Sequence, residues 1–239
     1  MVNLGSNART AAGWTNVDSS LILRLGSHKR LSALLRKLHL ISEDRYRRIE
    51  EMRGDCIVWN LAKGIPFADQ TFDVVYHSHL LEHIDREYAA GFLADCFRVL
   101  KPGGVIRVVV PDLEQLGRRY VRSLEEADPA SSADYKDALE QMLDQMVPRI
   151  PRERAQRNAV VRMLENIFVG DTDRNGALHR WMYDRFSLGR LLEDAGFTKV
   201  AVLDHNRSAI AGWQSFALDV EPDGSPYKPG SLYIEACRP

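Results

Sequence analysis

The sequence predicts a doubly wound α/β fold with a mostly parallel sheet, and three adjoining stretches carry that prediction. Phe72-Asp73-Val74-Val75-Tyr76 is a short β-favouring run closed by the polar residues His77, Ser78 and His79. From Leu80 the period changes, because Leu81, Ile84, Tyr88, Phe92, Cys96 and Val99 recur at three- and four-residue steps and make one apolar helical face. Lys101-Pro102-Gly103-Gly104 then predicts a sharp turn, since proline presets φ at the second position and glycine supplies positive φ at the third, and Val105–Val110 is a second buried run. Strand, helix, turn and strand in this order form the crossover unit of a parallel sheet. Ligands of such sheets sit beyond the carboxyl ends of the strands, so Ser78, His79 and Asp112 are expected on one rim.

The remaining elements follow from the same rules. Met1–Leu4 is a minimal first strand stopping at Gly5, and Thr15–Asp18 is a second ending in a carboxylate. The ten residues between them are short for a parallel crossover, so the first helix must be abbreviated or replaced by a loop. Between Ser20 and Gly54 a basic, leucine-rich segment puts Leu31, Leu34, Leu35, Leu38 and Ile41 on one face. It is expected to pack its leucines on the sheet, with peripheral contact at a membrane surface as the lesser alternative. Cys56–Trp59 is a third strand, followed by Asn60 and Leu61. After Val110 the sheet pattern stops, and about 113–184 is polar and helical, with Leu139, Met142, Leu143 and Met146 on one face. That length predicts a helical lid inserted after the fifth strand of a single domain covering 1–239. Ser187 is expected to cap a helix bearing Leu188, Leu191 and Leu192, with Phe186 and Leu191 as a hydrophobic staple and Gly196 at its end. Val200–Leu203 and Ser231–Ala236 are the last two strands.

Composition narrows the partners. With 45% hydrophobic and 27% charged residues in 239, the chain can bury one sizeable core without disulfides or metal. A formal net charge of −1 supplies no general attraction to nucleic acid or anionic membrane, which favours a small-molecule partner. Three scattered cysteines, Cys56, Cys96 and Cys237, predict buried thiols and a cytoplasmic setting. No apolar run approaches a membrane span. Oligomeric state is not legible.

The order and spacing of Leu4-Gly5, Gly13–Asp18, Pro66-Phe67, Phe72–Val75, Leu81-Glu82-His83, Leu100–Gly104 and Ala195-Gly196-Phe197 resemble the class I S-adenosylmethionine-dependent methyltransferases, in their short bacterial, type 11-like form. The resemblance implies a Rossmann-like, seven-stranded fold, S-adenosylmethionine as cofactor, and methyl transfer to a small molecule or glycan with oxygen as the favoured acceptor atom. It implies cofactor contacts from Gly5, Ser6 and Asn7 in the first turn, Asp18 at the ribose, Asn60 and Leu61 at the adenine, and His77 and Ser78 at the methionine end. Asn7 departs from the family's second glycine, although asparagine tolerates left-handed backbone better than other residues.

Displacement at a sulfonium already has a good leaving group, so holding acceptor and methyl carbon in line supplies much of the acceleration. A hydroxyl acceptor gains from a base, for which His79 is the first candidate and His83 the second; Asp112 either steers the acceptor or caps the helix after it. His79, Glu82 and His83 fall at i, i+3 and i+4 and resemble a divalent-metal grouping, but His79 stands where an acid would suit a hard cation, and no residue is assigned to metal. His179, Trp181 and Tyr183, where the insertion returns, suit an aromatic wall. Two rival functions are a catalytically silent cofactor-binding subunit and a nicotinamide-dependent oxidoreductase; the latter lacks its three-glycine fingerprint here.

Overall fold

The computed structural model describes residues 1–7, 9–18, 33, 36–37, 46, 56–127, 133–146 and 179–239. Seven strands form one sheet: β1 (Val2–Leu4), β2 (Thr15–Asp18), β3 (Cys56–Val58), β4 (Phe72–Ser78), β5 (Leu100–Pro111), β6 (Thr198–Leu203) and β7 (Ser231–Cys237). Their order is β3-β2-β1-β4-β5-β7-β6, with β1 to β5 parallel and β7 antiparallel to both β5 and β6. The helices with described side chains are α1 (Arg86–Val99), α2 (Leu113–Glu125), α3 (Ala133–Met146) and α4 (Arg185–Asp194). Strand order reverses between β1 and β4, the switch point where a doubly wound sheet opens a crevice.

Both faces of the sheet are covered, which explains the near-continuous apolar runs in its central strands. On one face Val2, Leu4, Val75, Ile106 and Val108 pack with Leu93 and Cys96 of α1 and Leu188 and Leu192 of α4. On the other, Tyr76 and Val109 meet Trp14, Trp213 and Leu218. Trp14 stands edge-on to Trp213 at 6.0 Å and to Tyr76 at 6.2 Å. The connection between β1 and β2 has no helix among its described residues; Ala11 and Trp14 from this loop, with the segment between β6 and β7, cover the sheet there instead.

That segment is held by a buried ion network. Arg107 of β5 has no solvent exposure, and it donates from Nε to Asp219 Oδ2 and from Nη1 to Glu235 Oε1, each at 2.7 Å. Its guanidinium also donates to the carbonyls of Asp204, His205 and Arg207, while Tyr76 Oη donates to Asp219 at 2.6 Å.

Several boundaries correct the sequence expectations. The helix expected from Leu80 starts only at Arg86: Leu81–His83 make a single 3₁₀ turn, and Ile84 is extended. Phe92, Cys96 and Val99 are buried as expected, but Tyr88 is 63% exposed. Lys101–Gly104 does not reverse the chain between separate elements. It is a bulge inside β5, where the register jumps from Phe72↔Leu100 to Val74↔Val105, and Gly103 and Gly104 exchange backbone hydrogen bonds with Arg238. Gly104 is required by packing, since a Cβ there would lie 2.9 Å from the Lys101 carbonyl oxygen and 3.0 Å from that of Asp73. The cap of α4 is Asp184, which accepts from Phe186 and Ser187 backbone N–H groups, with Ser187 as its capping-box partner. Phe186 is 81% exposed and makes no staple.

Of the predicted insertion, α2 and α3 pack together through a tilted Tyr120–Tyr135 contact and an Arg119–Asp137 ion pair. The excursion closes where Leu113 N–H donates to the Tyr183 carbonyl at 3.0 Å and Asp112 bridges Tyr183. Most of the leucine-rich 20–54 segment lies outside the described residues, as does 147–178. Among the described residues no helix is long and apolar enough to cross a membrane.

Candidate functional site

Register places the predicted cofactor residues on one rim. Leu4 pairs with Val17 and with His77, and Asp18 pairs with Val58, so the chain ends emerging at Gly5, Asp18, Trp59 and Ser78 lie side by side across β1, β2, β3 and β4. Neighbouring strands stand about 4.8 Å apart, so the four strand ends span roughly 14 Å.

The first loop is shaped by close approach. Gly5 has φ +68°, and a Cβ there would meet Leu80 side-chain carbons from 3.1 Å, so glycine lets β1 turn beneath the loop that follows β4. Gly5 and Ser6 N–H groups both donate to the Val17 carbonyl. Asn7, at φ 44°, takes the left-handed conformation anticipated for it and donates its N–H to Asp18 Oδ2 at 2.7 Å. Asp18 is 8% exposed at the end of β2, a carboxylate oriented by the loop it faces. Ser6 is buried, its Oγ 3.4 Å from Cys56 Sγ.

After β3, Asn60 Oδ1 accepts from Ala62 N–H and starts the short 3₁₀ turn Leu61–Lys63. Leu61 leans on the main core. Trp59, half-exposed, donates Nε1–H to the Gly64 carbonyl and its backbone N–H to Asp18 O. The sequence treated Trp59 only as the end of a strand; an aromatic residue beside the strand-end acid was the signal for a flat wall next to Asp18.

The loop after β4 brings together residues that sequence spacing assigned to a helix. His79 has φ 50°, and its ring is braced at both nitrogens: Nε2 lies 2.9 Å from Ser231 Oγ, and Nδ1 lies 3.2 Å from Glu82 Oε1. The Nδ1 contact is close but not aligned as a hydrogen bond. Ser231 was not anticipated, because it arrives from β7, some 150 positions away. His83 Nε2 lies 4.0 Å from the same Glu82 Oε1, and its ring stands edge-on to that of His179 at 5.0 Å between ring centres. Glu82 is fully buried between them, and its backbone carbonyl accepts from Arg180 and Trp181 N–H groups. The same carboxylate reinforces burial in pushing the Tyr183 phenol up to about 12.

Two expectations change here. The His77 ring is wholly buried, edge-on to Phe92 at 5.4 Å, so its side chain does not reach the rim; only Ser78 of that pair is partly exposed there. Burial holds the His77 imidazole down to about 4, against 6.5 for an ordinary histidine. Asp112 is the N-cap of α2, accepting from Glu114 and Gln115 N–H groups, and burial raises its carboxyl despite those bonds. Its Oδ1 thus takes the capping role, one of the two anticipated for this residue.

Residues 38–108 match the family model described as a methyltransferase domain. A ubiquinone/menaquinone biosynthesis C-methyltransferase of Desulfotalea psychrophila is 45% identical over 53 residues, 21% of each chain. A demethylmenaquinone methyltransferase of Tropheryma whipplei is 29% identical over 121 residues, 50% of this chain and 46% of that protein. The chain thus spans less than half the length of these curated relatives. A solved SAM-dependent methyltransferase of Archaeoglobus fulgidus aligns over 99% of this chain and 84% of its own at 15% identity, with a TM-score of 0.42. The matched segment runs from residue 38 through β3 and β4 into β5, and over it this chain is similar to the S-adenosylmethionine-dependent methyltransferases.

Proposed function

We propose that this chain transfers a methyl group from S-adenosylmethionine to a small-molecule or glycan acceptor, with oxygen as the receiving atom. The observation that carries this is the alignment of Gly5, Asp18, Asn60 and His79 along the carboxyl edge of four adjacent strands, β3-β2-β1-β4. Asp18 offers a carboxylate to two ribose hydroxyl donors, the tight Gly5–Asn7 turn borders the methionine part, and Trp59 with Asn60 flanks the adenine. The bound cofactor supplies an activated leaving group, so the protein's task is alignment and removal of one proton. The excursion carrying α2 and α3 returns beside this rim and acts as its cover.

Titration calorimetry with S-adenosylhomocysteine tests the cofactor assignment. The parent should bind one molecule, and D18N should bind about 10- to 100-fold more weakly, as expected for a lost charge-assisted contact. Equal affinity in D18N would remove Asp18 from the site, and no heat in the parent would remove the function.

A carbon acceptor on an aromatic ring is the second reading, favoured by the relatives named for quinone biosynthesis. Turnover against phenol, quinol and sugar panels, with mass spectrometry of the product, separates the two. H79Q should lower turnover by about 100-fold or more for a hydroxyl acceptor while leaving S-adenosylhomocysteine affinity unchanged.

A further inference from the structure

We propose that Glu82, His83 and His179 form a site for a borderline divalent cation of the zinc class, tying the returning insertion to the loop after β4. One donor atom from each of these residues lies within 4.8 Å of the other two. Glu82 points the argument to a cation rather than to a plain cluster. Its side chain has no solvent exposure, and neither carboxylate oxygen has an aligned hydrogen bond among the described residues. A buried carboxylate in that state is costly unless a positive charge reaches it.

His179 is prepared as a ligand by its own surroundings. Its Nδ1 lies 2.8 Å from the Gln145 carbonyl, which can only accept, so Nδ1 carries the proton and Nε2 keeps the lone pair. Burial also lowers its tendency to protonate. Two imidazoles and one carboxylate are a zinc-type donor set that leaves a coordination position for water; a hard cation would call for more oxygen.

The grouping differs from the one that spacing suggests. His79 turns to Ser231 instead, and the third donor comes from a segment nearly a hundred positions later, carried in by the Arg180 and Trp181 bonds to the Glu82 carbonyl. Bonds of about 2.05 Å set a tetrahedral edge near 3.3 Å, so the imidazoles must swing inward by roughly 1 Å, within the reach of side-chain rotation. Glu82 also faces His79, but metal binding is read directly and can be tested without methyl transfer.

The full chain, dialysed against chelator, is titrated with zinc chloride alone in a calorimeter, and its melting temperature is followed in parallel. One ion per chain should bind at micromolar affinity or tighter and raise the melting temperature. E82Q and H179A should each weaken binding by about tenfold or more, since even outer partners of zinc ligands contribute that much. H205Q, at a half-buried histidine that contacts Tyr233 and lies outside the cluster, should bind like the parent. If E82Q does not fold, H179A still decides. No heat in the parent, or equal affinity in the parent and H179A, overturns the proposal.

Discussion

R107M is expected to lower the unfolding free energy by about 3–5 kcal/mol, the cost typical of removing one partner from a buried ion pair. The methionine would fill much of the same volume, so the loss comes from charge. Asp219 and Glu235 would remain in the interior, 3% exposed each, without the guanidinium that faces both. The five hydrogen bonds that Arg107 gives to those acids and to the Asp204, His205 and Arg207 carbonyls would go together. The triple variant R107M/D219N/E235Q should recover most of the deficit, because the unmatched charge is then absent. Urea titrations of the three proteins provide the check. A loss below about 1 kcal/mol in the single variant would mean that the acids are hydrated in solution and that the network does not secure the 204–219 segment.

The second large effect concerns acid. With the His77 ring held at about 4 in the folded protein and near 6.5 when unfolded, only the unfolded chain takes up a proton between those values. Its folded value is depressed, so the contribution to stability is complete above pH 6.5 and is lost as pH falls toward 4. The total is roughly 3 kcal/mol. Both ring nitrogens are buried without a hydrogen-bond partner among the described residues, so H77L should be neutral or stabilising at pH 7.5. Stability curves recorded from pH 7.5 to 4.5 should diverge, the parent falling about 2–3 kcal/mol further than H77L. Parallel curves would show that His77 is protonated in the fold and that the proposed burial is wrong.

The strands were legible because each contains a short run of β-favouring residues ended by glycine or a polar residue, whereas the bulge at Lys101–Gly104 reads in sequence as a turn between elements. What escaped was geometry set by distant partners. The 3₁₀ turn at Leu81–His83 carries the same apolar spacing as the helix after it, so periodicity could not separate them; the left-handed His79 and extended Ile84 do. Asp184 outcompetes Ser187 as a cap because a carboxylate at that position accepts two N–H groups at once. In the candidate site, Gly5, Asp18 and Asn60 were readable from strand ends. Ser231 and the junction of His179 with Glu82 were not, since both depend on segments more than ninety positions apart meeting at one rim.

The junction of Asp112 with Tyr183 has an evolutionary consequence. Because the chain departs at Leu113 and comes back within hydrogen-bond distance of its point of departure, the rest of the protein senses the seventy intervening residues as little more than a tight splice. Loop-closure entropy grows only logarithmically with length, so descendants can lengthen, shorten or exchange that excursion at small thermodynamic cost. The sheet can therefore stay as inherited while the excursion changes.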